Sequence, residues 1–282
     1  MIVSGARSQV LAARLAEETG QPLARVAYDR FPDGELRVNV PVTDTDHAVV
    51  VASTTDSDAH VQLLQLQDAL REAGVTDITT ILPYLGYARQ EDAFVDGDTI
   101  SIRAIARAVS TGTDRVLTVN PHDTAVTDHF SVPATAVDAA GRLADPLPED
   151  LSDPLFLGPD EEALDLAEAA CRSYGEGDVD YFEKTRYSPT DVEIDPRDVA
   201  VAGRTVVLTD DVIETGTTMS EALAVLDERG AERVFATCVH PLLARNAVLE
   251  LSAAGVETIY GSDTIERAIS EVSVAPALAQ EL

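Results

Sequence analysis

The feature that most constrains the fold of this chain is a strand–loop–helix segment over residues 206–226, with two acids at the end of the strand. Residues 206–208 are three consecutive apolar residues, which predicts a short buried strand. Asp210 and Asp211 follow, and a threonine- and glycine-rich loop leads into the helical periodicity of residues 219–226. In an open α/β sheet, ligands bind beyond the carboxyl ends of the strands. The segment therefore predicts an α/β fold with a ligand site at this loop.

The chemistry of this loop suits a phosphorylated sugar. A loop that opens a helix presents unpaired backbone N–H groups and the positive end of the helix dipole to an anion. Gly216 lets the backbone approach a ligand closely, and hydroxyl donors flank it at Thr215, Thr217 and Thr218. The two acids would face sugar hydroxyls or a metal ion. A capping box, with Thr218 as the N-cap and Glu221 at the third helical position, explains the same residues without a ligand.

The charge balance is strongly acidic, with 20 Lys+Arg against 50 Asp+Glu and a formal net charge of −30. Lys184 is the only lysine. The acids are scattered among apolar periodicity, so they indicate a folded acidic surface and not a disordered tail. Such a surface repels itself in dilute salt and is tolerated where salt screens it, which indicates a salt-adapted protein. It also argues against nucleic-acid partners, whose phosphates require cationic contacts.

Cysteine usage and hydropathy predict a cytoplasmic protein. Cys171 and Cys238 lack the paired spacing of a metal site, and we expect them to be reduced core residues. The amino terminus does not show the charged and then apolar pattern of a secretory signal. No apolar run reaches the ~18 residues that a membrane span requires, so we expect no membrane partner.

Strands and helices are predicted to alternate along the chain, which favours parallel sheets with helices outside. A gapless internal repeat relates the two halves, since Val50 falls on Val206 at an offset of 206 − 50 = 156 residues. At this offset Thr54 takes the place of Asp210. A duplicated unit would therefore keep its acids in the second copy alone.

A boundary between two domains is predicted within residues 132–152, where prolines and acids cluster. We therefore divide the chain into domains at residues 1–140 and 141–282. Residues 184–201 form a long polar segment with little apolar periodicity, and such loops are often lids.

The first half contains residue types that suit a nucleoside triphosphate. Phe31 offers an aromatic face for a base, and Asp33 and Glu35 could contact ribose hydroxyls or a purine amine. A tight hairpin turn shaped by Gly34 explains the same segment without a ligand. Arg89, beside Gln90, could bind a phosphate through two hydrogen bonds, or it could be an ordinary surface arginine.

Three further positions could act on phosphates. His122 follows the predicted strand at residues 116–120, at a carboxyl end where sites form, although a histidine there also suits local packing. Asp160 follows a short apolar run and could be an oxygen ligand for Mg²⁺, which takes few protein ligands. Lys184 and Arg186 open the long polar segment, and a lysine retained in a chain otherwise emptied of lysine suggests a specific role.

Taken in order, these segments resemble the ribose-phosphate diphosphokinases (PRPP synthetases), and the acidic composition resembles their archaeal, salt-adapted members. The resemblance runs from residue 1 to about residue 276, and plain type I phosphoribosyltransferases resemble only its last motif. The motifs are residues 31–35, 88–90, 121–122, 158–160, 184–186 and 210–218.

The resemblance implies two tandem domains like those of type I phosphoribosyltransferases, each a mainly parallel sheet flanked by helices. It implies transfer of the β,γ-diphosphoryl group of ATP to the 1-hydroxyl of ribose 5-phosphate, with Mg²⁺ as the cofactor. A homo-oligomer is also implied, with the active site between the domains and built partly by a neighbouring subunit.

The same resemblance assigns roles by position. Phe31, Asp33, Gly34, Glu35, Arg89 and Gln90 would bind ATP. His122 and Asp160 would be the metal positions, and Lys184 and Arg186 would be catalytic residues on a flexible loop. Ribose 5-phosphate would be bound by Arg186, Asp210, Asp211, Glu214, Thr215, Gly216, Thr217 and Thr218.

Two residues depart from the pattern of many members, which have Asp at position 214 and Gly at position 217. Glu214 keeps the charge on a longer arm, whereas Thr217 would be strained if the backbone there needed a positive φ. Two other functions stay open from the sequence. One is a phosphoribosyltransferase that consumes PRPP without ATP, and the other is a non-catalytic homologue that binds nucleotide and assembles with a true synthetase.

Overall fold

Short apolar strands and amphipathic helices build two separate parallel sheets in this chain. The computed structural model describes residues 1–41, 45–90, 95, 97–188, 191–196 and 200–282, and of residues 184–188 and 191–196 it describes the backbone alone. Within these residues the chain divides into two compact units. Unit 1 comprises Met1–Asp138, Asp263–Glu266 and Ser273–Leu282, and unit 2 comprises Ala139–Ser262 and Arg267–Val272.

The described strands are β1 (Ile2–Ser4), β2 (Ala27–Arg30), β3 (Leu36–Asn39), β4 (His47–Val51), β5 (Asp77–Leu82), β6 (Arg115–Val119), β7 (Ala134–Val137), β8 (Leu155–Gly158), β9 (Asp178–Ser188), β10 (Asp191–Pro196), β11 (Thr205–Ile213), β12 (Arg233–Pro241), β13 (Thr258–Ser262) and β14 (Ser270–Val272). The described α-helices are α1 (Gln9–Thr19), α2 (Ser57–Glu72), α3 (Ser101–Ser110), α4 (Leu164–Tyr174), α5 (Thr217–Glu228), α6 (Ala247–Ala253) and α7 (Ala275–Ala279). Among the residues that the structure describes, no helix is both long enough and apolar enough to cross a bilayer.

Unit 1 is built on a parallel sheet with the strand order β1-β4-β5-β6-β7. Its strands are apolar runs, as expected for a sheet covered on both faces, and Val49 and Val50 of β4 are fully buried. Leu63 and Leu66 of α2 pack into one core with Val50. A separate antiparallel hairpin of β2 and β3 lies against α2, where the Gln65 side chain donates to the Leu36 carbonyl at 2.8 Å.

The carboxyl-terminal residues of the chain return to unit 1, which the sequence did not indicate. Helix α7 packs on α1 and buries Leu278 completely. Glu266 accepts the backbone N–H groups of Val10 and Leu11 at 2.6 and 3.2 Å, and buried Asp263 pairs with Arg14 at 2.7 Å. These contacts place residues 263–266 and 273–282 with the first half of the chain. The domain limits at 1–140 and 141–282 stay a prediction.

Unit 2 is built on a sheet with the strand order β10-β9-β8-β11-β12-β13-β14, in which every pairing is parallel except that of β9 with β10. The order β8-β11-β12-β13-β14 repeats that of the sheet in unit 1, as a duplicated unit would. The predicted α/β class with mainly parallel sheets and flanking helices is confirmed.

The polar segment that begins at Lys184 was expected to be a long loop, and this expectation is wrong for its described residues. Strand β9 continues to Ser188, and β10 returns antiparallel, so that Lys184 faces Ile194 and Arg186 faces Val192 in register. A hairpin at the edge of a sheet is held by its backbone pairing. Along β10, Val192 and Ile194 also alternate with acids, which is the sequence pattern of a half-buried strand.

Candidate active site

Asp210 and Asp211 lie in a strand and not in the loop that follows it. Strand β11 pairs with β8 only as far as Leu208, whereas its pairing with β12 continues to Ile213. Strand β8 ends at Gly158, so the two acids lie on β11 just beyond the end of β8. This is the carboxyl end of the sheet, where ligands bind in open α/β folds.

Asp160 is brought to the same edge by a tight turn after β8. A β-carbon on Gly158 would lie 2.9 Å from the Asp160 carbonyl oxygen, so the turn depends on a glycine. Asp160 has an extended backbone and precedes a short 3-10 helix, Glu161–Ala163. Its carboxylate is close enough to Asp210 to influence that group's ionisation.

The acids form a site of concentrated negative charge. Burial raises the pKa of Asp210 well above its usual range, and the Asp211 carboxylate raises it further. The Asp211 backbone N–H, which donates to Asp210 Oδ1 at 2.8 Å, acts in the opposite direction. Charged carboxylates held this close are stabilised by a cation or by hydroxyl donors. The carboxylate oxygens of these acids can therefore accept hydrogen bonds from sugar hydroxyls or bind a hydrated divalent ion.

The loop after β11 leads into an α5 terminus that is open to an anion. Helix α5 begins at Thr217, two residues before the predicted start, and its N-cap is Gly216 with φ 80° and no side-chain cap. The first helical hydrogen bond runs from the Ser220 N–H to the Gly216 carbonyl at 2.8 Å. The capping box at Thr218 and Glu221 is therefore wrong, because the helix has already begun at Thr217.

Neither departure from the expected loop pattern disturbs the backbone. Thr217 is the first helical residue and does not have a positive φ, so a glycine is not needed there. Its hydroxyl lies 3.1 Å from that of Thr215, and both residues are exposed. The exposed Glu214 is fixed through its carbonyl, which accepts the Ala244 N–H at 2.7 Å.

The corresponding helix of unit 1 has no such opening. The Asp56 side chain caps α2 by accepting the Ala59 N–H at 2.9 Å, so a carboxylate already occupies the place of an anion. Thr54, which the repeat aligns with Asp210, is buried, and its hydroxyl accepts the Gly86 N–H at 2.9 Å. At this position unit 1 therefore has a capped helix and an internal hydrogen bond in place of the open helix terminus and the acids of unit 2.

The segment at residues 31–35 is a hairpin turn that leaves its side chains exposed. The Phe31 N–H donates to the Glu35 carbonyl at 2.8 Å, Gly34 has φ 94°, and the Glu35 N–H donates to Asp33 Oδ1 at 3.1 Å. The Phe31 ring is 48% exposed, with the Arg37 guanidinium 6.0 Å from its centroid. The hydrogen bonds of the turn therefore explain the backbone conformation. They do not explain why the Phe31 side chain is exposed.

Arg89, Gln90 and His122 all follow neighbouring strands of unit 1 at the carboxyl edge of its sheet. Arg89 and Gln90 come after β5, and His122 comes after β6. Arg89 and His122 are exposed, whereas Gln90 is half-buried and accepts a hydrogen bond from Ser101 Oγ at 2.5 Å. The sheet therefore brings these three residues to one edge.

The two predicted metal positions belong to different units, His122 to unit 1 and Asp160 to unit 2. Across the described parts of the chain, no group of three or more His, Cys, Asp and Glu residues is arranged as a metal site. Mg²⁺ takes few protein ligands and keeps substrate phosphates and water, so these residues still fit it. The assignment stays a prediction.

Lys184 and Arg186 lie on the part of β9 that extends beyond β8. Strand β9 runs parallel to β8, their pairing ends at Gly158 and Tyr181, and β9 then continues to Ser188. The two cations are therefore carried past the same carboxyl edge that holds the acids. Their side chains lie outside the described part of the structure.

Sequence reasoning missed the residues that support these loops. His60 and Tyr87, with ring centroids 5.5 Å apart, flank the loop of Arg89 and Gln90, and Asp56 closes the end of α2. Their partners are distant in sequence, so local patterns gave no sign of them. Gly86, beside Tyr87, was a local signal of a tight turn.

Two acids at the carboxyl edge of a parallel sheet, followed by a helix without a side-chain cap, suit a sugar phosphate, and the family models place the chain in the phosphoribosyltransferase class. Residues 1–112 match the family model of the N-terminal domain of ribose phosphate pyrophosphokinase, and residues 134–272 match that of the phosphoribosyl transferase domain. The chain belongs to the ribose-phosphate pyrophosphokinase family, as an archaeal, halophile-like member, and it is an enzyme of that activity.

Curated relatives and a solved structure support this assignment. A ribose-phosphate pyrophosphokinase of Halobacterium salinarum is 58% identical, with 100% of both chains covered. One of Methanosarcina mazei is 42% identical and covers 100% of this chain and 94% of its own. The crystal structure of phosphoribosylpyrophosphate synthetase from Mycobacterium smegmatis has a TM-score of 0.82 at 26% identity, and the match covers 100% of this chain and 96% of that one. The predicted family and activity are confirmed.

Proposed function

We propose that this enzyme binds ribose 5-phosphate at the carboxyl end of β11 and ATP through unit 1, and transfers the diphosphoryl group between them. The observation that carries the proposal is the open terminus of α5 directly after Asp210 and Asp211. The proposed domains are residues 1–140, with the ATP motifs, and residues 141–282, with the sugar-phosphate loop and the catalytic segment.

Ribose 5-phosphate is held from both ends in this proposal. The loop from Glu214 to Thr218 binds the 5-phosphate through backbone N–H groups, the helix dipole and threonine hydroxyls. Asp210 and Asp211 accept hydrogen bonds from the sugar hydroxyls. A sugar hydroxyl that donates to Asp210 favours its charged form, which offsets part of the repulsion between the acids.

ATP is held by residues with exposed faces or charges. Phe31 stacks on adenine, Asp33, Gly34 and Glu35 contact the base or the ribose, and Arg89 and Gln90 bind ATP next to the sheet edge. An arginine binds phosphate oxygens in a bidentate manner, which fixes orientation as well as charge.

The chemistry is positioning and charge stabilisation. The C1 hydroxyl oxygen of the sugar forms a bond to the β-phosphorus, the bond from that phosphorus to the α,β-bridging oxygen breaks, and AMP leaves with that oxygen. The hydroxyl proton is lost to solvent, and no general base is assigned. Lys184 and Arg186 stabilise the charge that develops on the bridging and equatorial oxygens, and Arg186 also contacts the sugar phosphate.

His122 and Asp160 would hold Mg²⁺, which when bound neutralises charge on the diphosphate. We also propose a homo-oligomer in the cytoplasm with the active site near a subunit interface. The −30 net charge supports the absence of nucleic-acid partners, and no membrane partner is proposed.

AMP release from ATP and Mg²⁺ in high KCl, with and without ribose 5-phosphate, tests the proposal. We expect sugar-dependent AMP from the wild type, and a loss of about a hundredfold or more in kcat for Lys184→Ala, the scale of one transition-state charge contact. Thr185→Ala, the next position on the same strand, is the matched control and should retain activity.

Other products would point to other functions. ADP in place of AMP would mean attack at the γ-phosphorus, as in an ordinary kinase. Consumption of PRPP without ATP would indicate a phosphoribosyltransferase. Binding of ATP without turnover would favour a regulatory homologue.

A further inference from the structure

His60 and Tyr87 form a ring contact next to the loop that carries Arg89 and Gln90, and the proposed function gives neither of them a role. His60 lies in α2, and its ring centroid is 5.5 Å from that of Tyr87, with the ring planes tilted by 41°. Ring pairs at such distances attract one another beyond the area that they bury. The pair therefore joins α2 to the loop after β5.

Tyr87 holds its backbone in an unusual conformation. Its φ is 67°, in the left-handed region that bulky residues rarely enter. Such a conformation persists only where the surroundings determine it, and it occurs preferentially at functional sites. The Gln90 N–H donates to the Tyr87 carbonyl at 3.1 Å. The direction in which the chain continues to Arg89 and Gln90 therefore depends on Tyr87.

Gly86 is enclosed between the end of β4 and His60. A β-carbon at Gly86 would lie 2.1 Å from the Thr54 carbonyl oxygen and 3.3 Å from His60 Nε2. The Gly86 N–H also donates to Thr54 Oγ1 at 2.9 Å. Thr54 and the His60 ring therefore both lie close to Gly86, and Tyr87 follows it directly.

His60 occupies this place at an energetic cost. Its Nε2 atom is buried and has no hydrogen-bond partner among the described residues. A buried polar atom without a partner is unfavourable, so an apolar ring would satisfy packing alone at least as well. Burial lowers the pKa of His60, with Asp56 acting in the opposite direction, so a neutral ring contacts Tyr87.

We propose that His60 is a positioning residue for the ATP-binding loop, because its ring holds Tyr87 in the left-handed conformation and thereby places Arg89 and Gln90. The proposal rests on the proposed role of Arg89 and Gln90 in binding ATP. His60 does not touch the reacting atoms, so its loss should weaken ATP binding without slowing the bound complex.

Steady-state kinetics on the full-length enzyme in high KCl test this role. We expect His60→Ala to raise the KM for ATP about tenfold, less than the hundredfold that an ångström-scale misplacement can cost. The KM for ribose 5-phosphate and kcat should stay within about twofold. His60→Phe restores a ring without the unpartnered nitrogen, so its KM for ATP should match the wild type and its Tm should be equal or higher. Tyr87→Ala should reproduce the defect of His60→Ala, and Tyr87→Phe should not.

His47→Ala is the matched control, since His47 lies at the amino end of β4, away from this loop. Equal rises in both KM values, a fall in kcat alone, or a His60→Phe enzyme as defective as His60→Ala would overturn the proposal. If His60→Ala does not fold, an unchanged KM for ATP in Tyr87→Ala overturns it equally. Failure of the proposed function would be recognised by a different result, namely that the wild-type enzyme does not release AMP in a sugar-dependent reaction.

Discussion

Gly216 approaches Leu251 of α6 so closely that a β-carbon on the glycine would lie 3.3 Å from Leu251 Cγ. The Ala247 carbonyl oxygen would be 3.4 Å away, and the backbone of Gly216 has φ 80°. The loop that we assign to the sugar phosphate is therefore fixed by both the conformation and the close packing of one glycine.

Gly216→Ala should raise the KM for ribose 5-phosphate about tenfold, because the loop must shift to relieve both the positive φ and the contact with α6. Gly203→Ala is the matched control, since Gly203 has φ 74° and nothing within 4 Å of its added β-carbon. Both variants share the cost of a positive φ, so Gly203→Ala separates that cost from the effect of the contact with α6. Identical KM values for ribose 5-phosphate in the two variants would show that this loop does not bind the substrate.

Asp210, which the proposed function requires for binding the sugar, should lower the stability of the folded protein. Because its pKa is raised on folding, its ionisation opposes folding above the pKa of the unfolded chain. This cost is lost as the pH falls through the folded pKa, where the native state takes up the proton. We expect Asp210→Asn to raise Tm at neutral pH by about 2–4 °C, the shift that ~1 kcal/mol gives in a chain of this size.

The same variant should lose about a hundredfold or more in kcat/KM for ribose 5-phosphate. Its gain in Tm over the wild type should shrink as the pH is lowered, which differential scanning calorimetry between neutral and mildly acidic pH would measure. Asp227→Asn, an exposed acid at the end of α5, is the control and should change neither quantity. An Asp210→Asn enzyme that is both active and no more stable would refute this account.

Leu278 should make the carboxyl terminus essential for the stability of unit 1. It is fully buried in α7, which packs on α1. Leu278→Ala is expected to cost about 2–5 kcal/mol, the range for truncating a buried leucine. Urea unfolding of the purified variant would measure this loss. Leu282→Ala, at a leucine that is 40% exposed, should change stability by less than about 0.5 kcal/mol, and equal losses would contradict the packing.

The fold class and the strand–loop–helix segment that carries the proposed site could be predicted from the sequence, because both depend on short, local patterns. The apolar run at residues 206–208 predicted the strand before the two acids, and the structure extends that strand to Ile213. The start of α5 was misplaced because Gly216 itself serves as the N-cap in a left-handed conformation, which leaves no polar capping residue to detect.

Features that depend on partners distant in sequence could not be predicted. Glu266 caps α1 across 256 residues of sequence, and a single glutamate carries no sign of that partner. Strand β10 does alternate, with Val192 and Ile194 between acids, but this short run lies in a polar, proline-containing segment and was not recognised as a strand. His60 resembled any other residue of an amphipathic helix, and only the three-dimensional contact with Tyr87 distinguishes it.

The stability of the whole chain should depend on salt. The 50 acids outnumber the 20 Lys+Arg by more than twofold, and several of the ion pairs that the described residues form, such as Arg30 with Asp58, are exposed. Exposed pairs contribute little, so repulsion among the surplus acids dominates at low ionic strength.

Raising KCl from about 0.1 M to above 1 M shortens the screening length from about 10 Å to 3 Å or less. Tm should therefore rise by several degrees or more, whereas sucrose at matched osmolality does not screen charge and should give a smaller rise. Equal melting temperatures at the two KCl concentrations would contradict electrostatic repulsion as the source of salt dependence.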